Sequence, residues 1–138
     1  MRKLVTLLVI VLLMSCTNRE EVVEQTFPNG NQKIVMVYEG SGDERVVIEQ
    51  KSFYIGGQAE VVGKFDETSK RVGNWIYYYQ NGNKWSECEY TTGVRNGKSI
   101  TYYENGNKRY EGNYISEKQT GHWVFYKEDG TVQDEKDY

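Results

Sequence analysis

Glycine-centred turns recur at a fixed interval along this chain. Gly82, Gly106 and Gly130 lie 24 residues apart, and each follows an Asn or an Asp; Gly30 and Gly57 mark two copies with looser spacing. A fixed period of this size is typical of repeat proteins, in which each unit buries its apolar side only against its neighbours. The spacing therefore predicts a chain of similar units, and it favours an extended binding surface over a catalytic pocket.

Each unit is predicted to consist of two strands. The runs on either side of the turns are rich in Tyr, Trp, Ile, Val and Phe, as half-buried strands are. Asn-Gly and Asp-Gly pairs favour type I′ turns. The connections between units, such as residues 92–97 and 116–121, are short and polar and can link only antiparallel neighbours. The sequence thus predicts an all-β fold, an elongated antiparallel meander of stacked hairpins over residues 27–138.

The alternation of side chains separates the two faces of this sheet, because residues two apart point the same way. One face repeats Ile or Val followed two residues later by Tyr, and we expect it to be the core: Ile76, Tyr78, Ile100, Tyr102, Val124 and Tyr126. The opposite face varies more, and we expect it to be exposed. Its aromatic residues form the candidate binding face: Trp75, Tyr77, Tyr79, Tyr103, Trp123 and Phe125. Plain packing on both sides of the sheet is the alternative.

The N-terminus has the pattern of a secretory signal peptide. Arg2 and Lys3 form a short basic region, and residues 4–14 are apolar apart from one threonine. As a helix this stretch would rise about 16 Å, about half the thickness of the hydrocarbon core, so it is too short for a stable transmembrane span. Residues 1–15 are therefore predicted to be a signal peptide.

The end of that stretch, Leu13-Met14-Ser15-Cys16, resembles the lipobox of bacterial lipoproteins. The resemblance implies cleavage before Cys16 and acyl chains on its sulfur and amine, which hold a protein on a membrane. An ordinary cleaved signal peptide is the alternative. Residues 16–26 are then the lipidated cysteine and a flexible, charged tether. The protein is therefore expected in the cell envelope, anchored by lipid to a membrane, with the outer membrane as the first expectation. It would be either periplasmic or surface-exposed.

The charge balance narrows the range of partners. Without Arg2 and Lys3, 15 basic residues remain against 20 acidic ones, a net charge of −5. An acidic surface argues against binding to nucleic acid, which requires basic patches. It also argues against electrostatic adhesion to anionic lipid, so the acyl chains must provide the anchoring.

The sequence offers little for catalysis. His122 is the only histidine, and Cys88 is the only cysteine after Cys16, so the usual zinc ligands cannot be assembled. No glycine-rich phosphate loop opens a helix. We therefore expect no enzyme activity, no metal and no cofactor. Cys88 is predicted to be a small buried side chain, and His122 a surface residue.

Glutamates recur in register on the second strand of each unit, at Glu87, Glu111 and Glu135. A row of like charges is unfavourable unless it reaches solvent or a basic partner, for which Lys84 and Lys108 are candidates. Glu87 and Glu111 could also form a glycosidase pair, but nothing in the sequence marks a cleft around them. We expect a solvated strand face.

The segments Arg95-Asn96-Gly97-Lys98 and Tyr110-Glu111-Gly112-Asn113-Tyr114 resemble the MORN repeat. The Asn-Gly-x-Lys-x-x-Glu-x-x-Tyr form is similar to a bacterial variant identified as an antitoxin component of toxin–antitoxin systems. The resemblance covers residues 27–138 and is most specific over 73–138. It implies a fold of stacked hairpins and a function in protein scaffolding or lipid contact. The antitoxin variant further implies neutralisation of a partner protein. The second unit departs from the motif, with Gly56-Gly57-Gln58-Ala59 in its place.

Two kinds of function follow from these features. The first is a membrane-tethered module that binds an unidentified protein partner. The second is a binder of glycan or peptidoglycan, in which the aromatic side chains of the candidate binding face stack on sugar rings.

Overall fold

Ten β-strands account for most of the computed structural model, which describes residues 18–138. The strands are β1 (Arg19–Thr26), β2 (Gln32–Glu39), β3 (Val46–Phe53), β4 (Ala59–Phe65), β5 (Arg71–Tyr78), β6 (Lys84–Thr91), β7 (Val94–Tyr102), β8 (Lys108–Ile115), β9 (Lys118–Tyr126) and β10 (Val132–Asp137). A short 3-10 turn, Gly42–Glu44, lies between β2 and β3. The predicted signal peptide and Cys16 lie outside the described residues.

All ten strands belong to one sheet, and their order in the sheet is their order in the chain. Every neighbouring pair is antiparallel. Such an order arises when the connections are short, because a short connection can join only adjacent antiparallel strands. The predicted all-β meander of stacked hairpins is confirmed, with five hairpins from β1–β2 to β9–β10.

The first strand corrects the tether predicted for residues 16–26, since Arg19–Thr26 forms β1 and pairs with β2. The charges expected to keep this segment in solvent instead form cross-strand ion pairs. The Arg19 Nε atom lies 3.0 Å from a Glu39 carboxylate oxygen, and Arg45 Nη1 lies 3.2 Å from one of Glu20. The repeat domain therefore begins about eight residues earlier than the hydrophobic pattern indicated.

The type I′ turns predicted at Asn-Gly and Asp-Gly are wrong. In the β5–β6 turn only Gly82 has a positive φ, of 89°, and its amide donates to the Tyr79 carbonyl. This is a type I turn followed by a left-handed glycine, the usual three-residue hairpin loop. The Asn81 side chain favours it by accepting a hydrogen bond from the Asn83 amide at 2.9 Å. The same backbone bonds recur at the other four hairpin turns. The side-chain bond recurs at three of them, accepted by Asn29, Asn105 and Asp129.

Type I′ geometry occurs instead in the links between hairpins, at the ends of the strands opposite the hairpin turns. Thr92 and Gly93 have φ of 46° and 89°, and Ser116 and Glu117 have φ of 47° and 69°. In a type I′ turn both central residues have positive φ, which is why Asn and Gly are usually preferred there. These two tight links give the last three hairpins their equal spacing.

The deepest burial lies on the face predicted to be exposed. We call this the tryptophan face, meaning the side of the sheet on which the Trp75 and Trp123 side chains lie. Trp75 is 0% exposed and Trp123 is 1% exposed. Each indole lies flat over a glycine of the preceding strand, Gly63 or Gly112, where a Cβ atom would come within 2.1–2.2 Å of the ring. Glycine creates the space for the ring, and this depends on pairing between strands that the alternation pattern does not reveal.

The other face, which we call the glutamate face, carries the predicted core residues, and they are less buried than expected. Ile100 is 7% exposed, but Ile76, Tyr78, Tyr102, Val124 and Tyr126 are only half-buried. At the N-terminal end Val35 and Val37 of β2 are buried on this face. The prediction that the glutamate face alone forms the core is therefore wrong, and both faces contribute.

Candidate functional site

Every hairpin carries a β-bulge close to its turn. In β5–β6, Tyr77 pairs with Ser86 and Tyr78 pairs with Lys84, which leaves Trp85 without a partner. Such bulges re-aim one side chain and increase the local twist. Equivalent register shifts in the other hairpins leave one residue of each second strand out of the ladder, and in β1–β2 Glu24 of the first strand is left out as well. We call the five residues of the second strands the bulge row: Lys33, Glu60, Trp85, Arg109 and Gln133.

A row of tyrosines beside the bulges ties the second, third and fourth hairpins each to the next one. The Tyr79 hydroxyl donates to the Tyr102 carbonyl at 2.9 Å, and the Tyr103 hydroxyl donates to the Tyr126 carbonyl at 2.9 Å. Tyr54 makes the same bond to the next hairpin at 2.7 Å. These bonds fix the rings against the sheet, so the surface they form is rigid.

Asparagine amides connect the turns themselves. Both Asn81 and Asn83 donate to the Glu104 carbonyl, and Asn105 and Asn107 repeat the pattern one hairpin further, onto the carbonyl of the next turn. The distances are 2.8–3.0 Å. These bonds explain why Asn recurs on both sides of the turn glycine. In the last turn the equivalent positions are Asp129 and Thr131, which carry no amide donor.

Trp85 is an exposed aromatic side chain of the tryptophan face, at 46% exposure. Its ring packs edge-on against Tyr77, with centroids 5.8 Å apart, and lies 6.5 Å from Tyr79. The bulge turns the indole onto this face, although the alternation of β6 would not place it there. Trp85, Tyr77 and Tyr79 thus form one aromatic cluster near the hairpin turns.

A shallow groove of about 550 Å³ follows on the same face between the last two hairpins. Tyr103, Tyr110 and Phe125 contribute aromatic rings to it, and Arg109 and Lys136 contribute cations. The Arg109 guanidinium lies 5.8 Å from the centre of the Tyr103 ring. The groove therefore combines apolar rings with charged groups, which suits a polar ligand that also presents apolar surface.

Four of the six residues of the predicted binding face line this surface. Tyr77 and Tyr79 belong to the aromatic cluster, and Tyr103 and Phe125 line the groove. Trp75 and Trp123 are fully buried and cannot contact a ligand. Their indole N–H groups are satisfied internally, by the carbonyls of Lys64 at 3.0 Å and Thr120 at 3.2 Å.

Sequence reasoning also missed Trp85, Tyr110 and Arg109. Tyr110 lies on a second strand, paired with Thr101 and Phe125. Trp85 and Arg109 occupy bulge positions, and a bulge follows from the pairing register rather than from residue type. The 24-residue interval between Trp85 and Arg109 is the one available signal that they are structurally equivalent.

The glutamate face shows paired carboxylates rather than a catalytic pair. Glu87 lies 2.8 Å from Lys84, and its other oxygen accepts the Tyr102 hydroxyl hydrogen. Glu111 repeats this one unit later, 2.8 Å from Lys108 and 2.7 Å from the Tyr126 hydroxyl. The predicted neutralisation of the glutamate row by Lys84 and Lys108 is confirmed.

These contacts shift the acidity of the groups involved. Burial acts to raise the pKa of Glu87, but the hydrogen bonds from Lys84 and Tyr102 outweigh it and lower the pKa. The Lys108 hydrogen bond lowers the pKa of Glu111. Burial, and then the bond to the ionised Glu87, strongly raise the pKa of Tyr102. Both carboxylates therefore stay ionised at neutral pH and act as acceptors.

The remaining titratable candidates lie apart from the aromatic surface. His122 is exposed in β9, where its Nδ1 lies 2.9 Å from an Asp137 oxygen, and this bond raises its pKa. Cys88 is 5% exposed, which confirms the predicted burial, and desolvation raises its pKa. Among residues 18–138 no cluster of His, Cys, Asp and Glu could hold a metal ion. In the same range no helix is long and apolar enough to cross a membrane.

Two consecutive hairpins match a known family. The profile of the MORN repeat variant matches residues 71–91 and 95–116, which correspond to β5–β6 and β7–β8 with their turns. No curated protein matches the chain in sequence. The matched segments contain the turns at Gly82 and Gly106 and the Glu87–Tyr102 pair described above. Over these two hairpins the chain is similar to the MORN repeat variant, and the antiparallel meander of stacked hairpins agrees with that similarity.

Proposed function

We propose that this chain is a membrane-anchored lipoprotein that binds a protein partner through the tryptophan face, next to the hairpin turns. MORN repeats in general are modules for protein or membrane interaction. The observation that carries the proposal is the exposed Trp85 on a rigid support. Tryptophan in a well-packed, pre-ordered surface is the residue type that most often dominates binding energy.

The support for Trp85 is ordered before any ligand arrives. Tyr79 is held by its bond to the Tyr102 carbonyl, and the Tyr77 hydroxyl accepts a hydrogen bond from Arg71 Nη1 at 3.1 Å. A surface fixed in this way loses little side-chain entropy on binding, which raises affinity for a given contact area. The role would be that of a scaffold or, following the antitoxin variant of the repeat, an immunity-like neutralising protein.

Site-specific cross-linking tests the protein-binding role. A photo-reactive phenylalanine analogue would replace Trp85 in the full chain in its native cells, and Ile115, which is 61% exposed at the far end of β8, would be the control position. We expect a cross-linked protein at position 85 and not at 115. With that protein purified, Trp85→Ala should weaken binding at least about tenfold, since loss of a central aromatic costs about 2 kcal/mol or more.

The anchor is tested separately. Cys16→Ala should move the protein from the membrane fraction to the soluble fraction, or leave the precursor uncleaved, because acyl chains require this cysteine. A fully processed variant that remains bound to the membrane would contradict lipid attachment at Cys16. The variant leaves the tryptophan face unchanged, so partner binding in solution should persist.

A second candidate function is glycan binding at the groove beside Phe125. It is favoured by the combination there of five aromatic residues with Arg109, Asp134 and Lys136, since sugars offer both apolar ring faces and hydroxyl groups. Soluble peptidoglycan fragments would be titrated into the purified protein. Binding that is lost in Phe125→Ala and kept in Trp85→Ala would support this function over a protein partner.

A further inference from the structure

The bulge row carries a different side chain in each hairpin, beside a nearly constant row of rings. Phe27, Tyr54, Tyr79 and Tyr103 occupy equivalent positions just before four of the turns. The bulge side chains lie against these rings. Lys33 Nζ is 5.8 Å from the Phe27 ring centre, Trp85 is 6.5 Å from Tyr79, and Arg109 is 5.8 Å from Tyr103. The first four hairpins thus each present one ring and one variable bulge residue, and in the last hairpin Lys127 occupies the position of the ring.

The interval between successive bulge residues is fixed by the sheet. Each hairpin contributes two strands, and neighbouring strands lie about 4.8 Å apart, so equivalent positions recur about every 9.6 Å across the strands. A ligand lying along the bulge row must therefore repeat at about that interval to use each ring. The spacing is a property of the backbone and does not depend on side-chain conformation.

Among regular peptide conformations, the polyproline II helix fits this interval best. Three of its residues rise about 9.3 Å, so it falls behind the row by about 0.3 Å per hairpin. Residues on the same side of an extended strand recur about every 6.6 Å, which does not match the interval of about 9.6 Å even between two neighbouring hairpins. Two turns of α-helix rise about 10.8 Å and drift by more than 1 Å per hairpin. Aromatic-lined surfaces are also the usual partners of polyproline II segments.

Resting on the proposed protein-binding role, we infer that the bulge row binds a polyproline II segment of the partner, with a proline against Trp85. The charges on either side of Trp85 specify the flanking residues. Glu60, one hairpin before, would face a basic residue, and Arg109, one hairpin after, would face an acidic residue. Each charged residue lies three positions from the proline, one turn of the helix.

Synthetic peptides test the inference directly. The probes are Lys-Pro-Pro-Pro-Pro-Pro-Glu and the reversed sequence Glu-Pro-Pro-Pro-Pro-Pro-Lys, because a polyproline II segment could lie along the row in either direction. The control keeps the charges and replaces the prolines with Gly and Ser. Fluorescence anisotropy of labelled peptides on the purified chain should show one proline peptide binding at least about tenfold more tightly than its control, because the preformed helix loses less entropy.

Variants of the bulge row locate the binding and test its charge pattern. Trp85→Ala should weaken the better peptide at least about tenfold, and Ile115→Ala should leave it unchanged. Arg109→Glu should weaken it as well, and binding should return when the glutamate of the peptide is replaced by lysine. Melting curves of each variant confirm that the fold is intact. Charge reversal that is not rescued by the matching peptide would refute the assignment of Arg109.

The outcomes separate this inference from the proposed function. Failure of both proline peptides to bind, or equal binding of the Gly-Ser control, overturns the polyproline II assignment. If cross-linking at position 85 still gives a purified partner that requires Trp85, the protein-binding role stands and the partner uses another conformation. An increase in helical far-UV signal when that partner segment binds would identify an α-helix. Failure of both experiments overturns both proposals.

Discussion

Replacing Gly112 with alanine should destabilise the domain by driving Trp123 out of its position. An added Cβ would lie 2.2 Å from Cδ2 of the indole, far inside the contact distance of two carbon atoms. Gly112 does not have a positive φ, so alanine imposes no backbone strain there. The indole is the group that must move, so the loss of stability in Gly112→Ala measures how tightly the indole of Trp123 is packed.

The size of the effect follows from what holds the indole. Tyr114 packs edge-on at 5.2 Å between ring centres, Tyr138 at 6.0 Å, and the indole N–H is bonded to Thr120. Overpacking of a constrained core typically costs about 1–3 kcal/mol. Complete displacement of the ring would approach the roughly 3–5 kcal/mol of a buried Trp-to-Ala change. We expect a value between these limits, and each kcal/mol lowers Tm by roughly 4 °C in a domain of this size.

Thermal melts followed by circular dichroism measure this loss, with two matched glycine variants. Gly63→Ala should behave like Gly112→Ala, because its Cβ would lie 2.1 Å from the Trp75 ring. Gly56→Ala is the control, since its Cβ would meet only the flexible Gln58 side chain. The alanine at position 112 should also cost less when Trp123 is replaced by leucine. If Gly112→Ala melts like Gly56→Ala, the indole does not lie on the glycine and our account of the tryptophan face fails.

Three further predictions concern single contacts. Asn105→Ala removes the amide bond to the Glu128 carbonyl and should cost about 1 kcal/mol in urea unfolding; an unchanged midpoint would contradict the linking of turns by asparagine. Because the folded-state pKa of Tyr102 is raised, its contribution to stability is present below its unfolded pKa of about 10 and is lost as pH rises above it. Urea unfolding between pH 9 and 11.5 should therefore show a shallower decline for Tyr102→Phe, which lacks the bond to Glu87, than for the parent chain. The buried Cys88 thiol should react with a thiol reagent only on unfolding, and rapid labelling of the native protein would contradict its burial.

The sequence by itself determined the repeat and the strand order, and it offered Lys84 and Lys108 as candidate partners for the glutamate row. These follow from local signals: turn residues at a fixed spacing, strand-forming runs between them, and connections too short for any order except the meander. Regular alternation would place Lys84 and Glu87, three residues apart, on opposite faces, and the bulge at Trp85 brings them together; Arg109 does the same for Lys108 and Glu111. Burial of Cys88 also followed from residue type and position.

The tertiary structure alone decided which surface is buried and which is available for binding. The alternation pattern separates two faces but cannot rank them, and the ranking depends on Gly63 and Gly112 in strands adjacent to the tryptophans. Trp85 reaches the surface because a bulge breaks the alternation, and bulges are set by pairing register. Arg19–Thr26 is a strand because its backbone pairs with β2, and its charges form ion pairs with Glu39 and Arg45. In each case the decisive contact joins residues on different strands, and the sequence of one strand does not specify which residues of the neighbouring strand it will contact.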